Sequence, residues 1–180
     1  IFWIYSLSLS IHALFGTALV FHIVSIFDEV GKGRAEAFSY FIPAAIFSTL
    51  SNLFASWISD KINLKPILII MLISFCLGSF GFIYLIHSWG FWLLAFGFGV
   101  GGGLWGVISN LTFIRFFGPK HLGEISGLSA SFNVIGSAIG PAAFSLGFDY
   151  FGSYTAPAKI CLALIIVLLL VAIFLKQREE

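Results

Sequence analysis

The chain alternates between long apolar runs and short polar segments. Six runs are apolar enough, and at about 20 residues long enough, to cross the hydrocarbon core of a bilayer as helices. They cover residues 1–27, 37–58, 65–86, 91–116, 125–148 and 157–175. Transmembrane barrel strands are shorter and alternate in polarity, so the runs indicate helices. The pattern predicts an all-α membrane protein with six transmembrane helices, here named spans 1 to 6 in chain order.

Polar side chains are distributed unevenly among these spans. Spans 1, 2, 4 and 5 each contain several Ser, Thr, Asn or His residues, whereas the interior of span 3 has only Ser74 and Ser79, and span 6 has Lys159. A polar side chain in hydrocarbon is costly unless it faces protein or water. We therefore expect spans 1, 2, 4 and 5 to line a cavity and spans 3 and 6 to face lipid. The alternative is that the small polar residues only join neighbouring helices.

Six side chains near the middle of the polar spans are candidates for solute binding. At about 1.5 Å of rise per residue, four of them lie at similar depth and the last two about one turn away. They are His12, Ser48, Trp105 and Asn133, with Asn52 and Asn110 as the more distant pair. Donors, acceptors and one aromatic wall are the mixture that small-molecule pockets use. With no fixed charge among them, they predict a neutral or weakly charged solute, unless a part of the protein outside this chain supplies a charge.

Two of these candidates have a second interpretation. His12 is equally well explained as a packed, hydrogen-bonded histidine of the helix bundle. Asn133 is the stronger candidate, because an amide in lipid is costly and its helix face is otherwise small. The alternative for Asn133 is a hydrogen bond to a neighbouring helix that holds the bundle together.

A weak internal repeat appears when the chain is shifted by about 88 residues. Glu36 then aligns with Glu124, each at the start of a span, and Asp60 aligns closely with Asp149, each at the end of one. Since three spans is an odd number, the second copy must be inverted in the membrane. Inverted repeats of three plus three helices are typical of secondary transporters.

Composition supports the membrane interpretation and excludes several other classes. Of the 180 residues, 59% are hydrophobic and 9% are charged, and the mean hydropathy is +1.06. Soluble domains carry about 25% charged residues. The net charge of +1 gives no indication of nucleic acid binding. Cys76 and Cys161 lie within apolar runs, and no catalytic or metal-ligand spacing is present, so we expect no enzyme, metal or cofactor.

The distribution of Lys and Arg predicts the orientation. The second and fourth breaks and the tail hold Lys61, Lys65, Arg115, Lys120, Lys176 and Arg178. The opposite side holds Lys32, Arg34 and Lys159. Cytoplasmic segments carry the excess of basic residues, so we expect a multi-pass protein of the cell membrane with a cytoplasmic C-terminus.

Several segments resemble the major facilitator superfamily. The loop at residues 56–65 is similar to the signature loop of that family, with a small residue at Ser56, the acidic Asp60, the basic Lys61, a turn residue at Asn63 and the basic Lys65. Residues 21–31, 120–127, 136–141 and 147–154 also resemble family segments. The departures, Ser56 and Asn63 for glycine and Leu64 for a basic residue, resemble the degenerate copy of the loop in the C-terminal half.

The resemblance implies a half-transporter of six helices, formed by residues 1–180, from a twelve-helix fold. The chain begins inside an apolar run, so we expect an N-terminal six-helix half to be missing from it. The resemblance further implies alternating access by secondary active transport, and its lean toward monocarboxylate and oxalate–formate-like members suggests a small organic acid as substrate. The expected partners are thus the bilayer, a small solute and the other half.

Asp60 and Lys61 match the part of the signature loop that locks one conformation against the other half of such transporters. The alternative is an ordinary cytoplasmic span boundary. Two other functions remain open from the sequence, namely a non-transporting membrane scaffold or receptor, and a six-helix channel. A polar stripe continuing through every span would favour a channel.

Overall fold

The computed structural model describes residues 1–175. Within this range the backbone forms eight α-helices and no strand. They are α1 (Phe2–Phe21), α2 (Ile23–Glu29), α3 (Arg34–Ser39), α4 (Phe41–Ser59), α5 (Leu64–Ile83), α6 (Ser88–Phe117), α7 (Leu122–Phe151) and α8 (Thr155–Phe174). Six segments are long and apolar enough to cross a membrane, with α3 and α4 together forming the second of them, Arg34–Ser59. The prediction of an all-α protein with six transmembrane helices is confirmed.

The helix boundaries differ from the predicted spans in two ways. Span 1 is divided at His22, where the backbone has φ −102° and ψ 12° before α2 resumes. Spans 4 and 5 are longer than predicted, because α6 and α7 contain 30 residues each. Thirty residues of helix measure about 45 Å, more than the hydrocarbon thickness, so hydropathy detects only the part of each helix within lipid.

Glycine ends both of the long helices. α6 is followed by Gly118 at φ +69°, and α7 by Gly152 at φ +67°. A side chain is strained at positive φ, so these two positions suit glycine and stop the helix there. The fourth and fifth breaks of the sequence therefore coincide with helix ends that have a local steric cause.

The helix pairing follows the predicted repeat. α1 packs along α7, and α4 packs along α6. Exchanging spans 1–3 with spans 4–6 converts the first pair into the second. The contact of α5 with α6 corresponds in the same way to that of α8 with α1, and α5 also packs against α8. These pairings agree with a three-plus-three inverted arrangement.

Glycine allows α5 and α6 to pack with their backbones in contact. A methyl group added to Gly97 would lie 2.5 Å from the carbonyl oxygen of Ser74 and would overlap the backbone of Gly78. A methyl group on Gly81 would lie 2.8 Å from the carbonyl oxygen of Gly90. Membrane helices associate through such close van der Waals packing, since lipid provides no hydrophobic drive for it.

The two spans with few polar residues each present one exposed apolar face. On α5 the exposed side chains recur every three or four residues, at Ile70, Ile73, Leu77 and Phe80. The opposite face of α5, which includes Leu72 and Phe75, is buried. The expectation that span 3 faces lipid thus applies to one side only, because α5 also packs against α6 and α8.

Candidate functional site

One cavity, here called the principal cavity because three of the sequence candidates line it, lies between α1, α6, α7 and the start of α4. Its volume is about 680 Å³. It is lined by His12, Ala13, Gly16, Thr17, Leu19, Val20, Phe21, Tyr40, Phe98, Gly102, Trp105, Asn133, Val134 and Ser137. Three of the six candidates from the sequence, His12, Trp105 and Asn133, therefore share this cavity.

A second cavity of about 470 Å³ lies farther along the same groove. Trp105, Asn133 and Val134 line both cavities. The first cavity extends toward Phe21 and Tyr40, whereas the second extends toward Gly123 at the opposite end of the bundle. Trp105 and Asn133 thus occupy the position at which the two cavities meet.

The indole of Trp105 bridges two helices at this meeting point. Its Nε1 donates a hydrogen bond of 3.2 Å to the carbonyl oxygen of Leu9, which joins α6 to α1. Indole has one N–H, so this bond fixes the ring edge and leaves the ring faces for contacts in the groove. Trp105 therefore lines both cavities and joins α6 to α1 where they meet.

His12 is held by aromatic packing. Its ring stacks on Phe75 at a centroid distance of 4.3 Å and an interplanar angle of 7°. The centroid of Trp105 lies 5.8 Å away. The Nδ1 atom of His12 is buried and has no hydrogen-bond partner within residues 1–175. His12 is therefore packed, as the alternative of a packed, hydrogen-bonded histidine requires, but its Nδ1 lacks the hydrogen bond of that alternative.

Asn133 also has one uncommitted polar atom. Its Nδ2 donates to the carbonyl oxygen of Ser129, one turn earlier in α7, at 3.2 Å. Because a carbonyl only accepts, this bond identifies the amide nitrogen and leaves Oδ1 free. Oδ1 is buried and unpartnered among the described residues. The link from α7 to α1 at this level is made instead by Ser6, which donates to Ser129 at 3.0 Å.

The other three candidates lie outside the principal cavity. Ser48 is close to it, since a methyl group on Gly102 would lie 3.8 Å from Ser48 Oγ and 3.9 Å from His12 Nε2. Asn52 joins two helices, because its Nδ2 donates to the carbonyl oxygen of Gly103 at 2.9 Å. Asn110 lines the second cavity.

The amide of Asn110 is partly committed as well. Its Nδ2 donates to the carbonyl oxygen of Gly106 in its own helix at 2.8 Å, and the residue is exposed. Among the predicted amides, Asn52 therefore has the contacts of an inter-helix link, whereas Asn110 and Asn133 border the groove.

Asp60 and Lys61 lie at the end of α4 as predicted. The carboxylate of Asp60 is 86% exposed and lies 3.7 Å from the guanidinium of Arg115 at the end of α6. Arg115 also donates to the carbonyl oxygen of Ile62 at 3.4 Å. The ammonium of Lys61 lies 3.9 Å from the ring centroid of Trp57. The loop is thus tied to α6 through Arg115, a contact that the sequence pattern did not identify.

Hydrogen bonds also close the opposite end of the bundle. Glu29 accepts from Ser153 Oγ at 2.5 Å and from the backbone nitrogen of Tyr154 at 3.0 Å, just before α8. At the break between α1 and α2, His22 Nε2 lies 3.0 Å from the carbonyl oxygen of Pro141 in α7. These contacts connect the first span to the last two.

Apart from Trp105, the aromatic walls of the cavity were not predicted from the sequence. Tyr40 and Phe98 line it, and Phe75 supports His12 from behind. The chain contains 22 Phe, so an isolated Phe within a span cannot be distinguished from one that faces lipid. A Phe can be assigned to a cavity-facing side of a helix only if polar residues lie three or four positions from it. Phe98 has no polar residue at those positions.

Six segments long and apolar enough to cross a membrane, packed around a groove lined by uncharged side chains, define a multi-pass membrane protein. The chain belongs to the Major Facilitator Superfamily, whose family model matches residues 2–180. This is a family of transporters and not of enzymes, and the six-helix bundle corresponds to half of its fold. No curated protein matches the chain. The resemblance stated from the signature loop is confirmed.

Proposed function

We propose that this chain moves a small solute by alternating access along the groove between α1, α6 and α7. The observation that carries the proposal is the pair of cavities that meet at Trp105 and Asn133. In alternating access, the solute site opens to one membrane face at a time. Such a site needs a cavity toward each face and a barrier between the two cavities. Transporter sites of this kind lie near the bilayer midplane.

The bridge that Trp105 forms across the groove favours a transporter over a channel. An open channel needs a continuous polar path, whereas here Trp105 joins α6 to α1 across the groove. A non-transporting scaffold that binds no ligand has no need of unpartnered polar atoms, yet His12 Nδ1 and Asn133 Oδ1 are buried without a partner in the described residues. Such groups cost free energy unless a ligand or water satisfies them.

We infer that a second six-helix half covers the groove. α4 and α7 bury the smallest share of their residues among the six spanning segments. Large apolar side chains are exposed along α4, at Ile42, Ile46, Leu50, Leu53 and Trp57. Such an apolar stripe beside the groove suits a helical partner that also closes the cavity, and the N-terminal half implied by the family is the proposed partner.

The proposed orientation has the C-terminus in the cytoplasm of a cell-membrane protein. Lys61 and Arg115 belong to one end of the bundle, because Arg115 contacts Asp60 and the carbonyl of Ile62. Lys65 joins this end to the end of α8, since its Nζ donates to the carbonyl oxygen of Leu175 at 2.6 Å. Lys176 and Arg178, which also entered the prediction, lie outside the described residues.

Substitution of Trp105 tests the proposal. In a background without Cys76 and Cys161, cysteines at Ser137 and Ser126 report on the first and the second cavity. We expect a membrane-impermeant maleimide to label them from opposite sides of proteoliposomes. Trp105→Ala should remove this sidedness, because the bridge to Leu9 and the ring that fills the groove are both lost.

Trp92→Ala is the matched control, since Trp92 lies on the same helix and is 59% exposed. It removes an equal volume away from the groove and should leave the labelling unchanged. Alternating access through this groove is rejected if both cysteines stay accessible from a single side in wild type, or if Trp105→Ala keeps the sidedness intact.

The conformational lock gives a smaller expected effect. Asp60→Asn removes one charge of an exposed pair with Arg115, and such pairs contribute about 0.2–1 kcal/mol. A two-state balance should then shift by up to about fivefold, with folding intact. The same cysteine labelling measures the shift, and Asp149→Asn, the counterpart in the repeat, is the control. Unchanged labelling in Asp60→Asn would make Asp60 and Lys61 an ordinary span boundary.

A further inference from the structure

We propose, resting on the function above, that the 680 Å³ cavity takes an uncharged solute with a flat unsaturated ring and an N–H or O–H donor. Its volume is within the range of about 300–1,000 Å³ for small-molecule sites. Three features of the lining define this chemistry, namely the absence of charged side chains, the unpartnered acceptor Asn133 Oδ1 and the aromatic walls.

The absence of charged side chains from the described lining disfavours an ionised solute. No Asp, Glu, Lys or Arg is among the described residues that line either cavity. An ion moved from water into a low-dielectric site loses far more hydration energy than dipoles recover, unless a counter-charge is present. On the wall that this chain supplies, this favours a neutral solute over the small organic acid implied by the subgroup resemblance, since an acid would need a basic side chain from the second half.

The free acceptor requires a donor on the solute. Asn133 Nδ2 donates to the carbonyl oxygen of Ser129, whereas Oδ1, which only accepts, is buried without a partner, so a solute in the cavity reaches it after a rotation of the Asn133 side chain. An amide oxygen in a dry site is satisfied by an N–H or O–H group and by no other common solute group. A solute without a donor would leave this oxygen desolvated and unpaired, a penalty that binding sites use to reject analogues.

The aromatic walls favour a flat solute. Trp105 has its only N–H committed to Leu9, so the indole meets the groove as a ring surface. Phe98 and Tyr40 add two further rings to the lining. The stack on Phe75 fixes the His12 ring. Rings fixed in this way lose little conformational freedom on binding and prefer offset-stacked or edge-to-face contacts with another ring.

Four matched probes test the three features separately. Nicotinamide is flat, neutral and carries an amide N–H. Nicotinate replaces the amide by a carboxylate, N,N-dimethylnicotinamide removes the N–H, and cyclohexanecarboxamide removes the flat ring. We expect the rise in unfolding temperature of the purified protein to give nicotinamide the lowest dissociation constant, with each of the others weaker by about tenfold or more.

Asn133→Ala should abolish the difference between nicotinamide and its dimethyl analogue, while Asn63→Ala, an exposed amide in the α4–α5 loop, should preserve it. The solute class is overturned if nicotinate, the dimethyl analogue or cyclohexanecarboxamide binds as tightly as nicotinamide, or if none of the four binds. If the four probes do not follow the expected order of affinity but the two introduced cysteines are still labelled from opposite sides, only the solute class is rejected. Absent sidedness rejects the transport proposal itself.

Discussion

Gly97→Ala is expected to prevent the accumulation of folded protein. The added methyl group would overlap the backbone of Gly78 and would lie 2.5 Å from the carbonyl oxygen of Ser74. All of these atoms belong to the backbone of a packed helix, so no rotamer change relieves the overlap and α5 must move away from α6. Overpacking costs typically about 1–3 kcal/mol, and contact with backbone places this site at the upper end.

Gly127→Ala is the control for this substitution. Gly127 also lies within a long helix, and an added methyl group would have nothing within 4 Å. Alanine is a better helix former than glycine, so stability should stay equal or rise by about 0.5–1 kcal/mol. Size-exclusion profiles and unfolding temperatures in detergent measure both variants. Normal yield and stability of Gly97→Ala would mean that α5 and α6 do not cross where the structure has them.

The spans were predictable because lipid leaves few choices. A run of about 20 apolar residues with no water to satisfy its backbone must be helical, and that fixes the number and rough position of the spanning helices. The break at His22 was not predictable, because the residues on both sides of it are apolar. The side chain of His22 contacts the carbonyl oxygen of Pro141, which is 119 positions away in the chain and which no local pattern identifies.

The level of a residue along the bundle was more predictable than the rotation of its helix. His12, Trp105 and Asn133 do meet at one level of the groove. Asn52 was predicted about one turn away from that level, and its side chain points toward the backbone of α6, where it donates to the carbonyl oxygen of Gly103. Whether an amide faces the groove or a neighbouring helix depends on how closely the helices pack. Gly103 allows α4 to pack closely against α6 at Asn52, and this distance cannot be obtained from the sequence.

The contrast between Asn133 and Asn52 gives the second large effect. Asn52→Ala removes a bond between α4 and α6 and leaves the carbonyl of Gly103 without this partner. Loss of such a bond costs about 1–3 kcal/mol, so expression and unfolding temperature should fall. Asn133→Ala removes only a bond within its own helix, so the folded protein should be as stable as wild type.

Solute transport should respond in the opposite order. Asn133→Ala removes the free acceptor of the groove and should lower uptake into proteoliposomes by about tenfold, equivalent to about 1.4 kcal/mol, for a solute that the wild-type protein carries. Asn52→Ala, corrected for the amount of folded protein, should retain most of the uptake, because its side chain lies outside the principal cavity. If Asn133→Ala instead loses stability, or if its uptake equals that of wild type, Asn133 holds helices together and binds no solute.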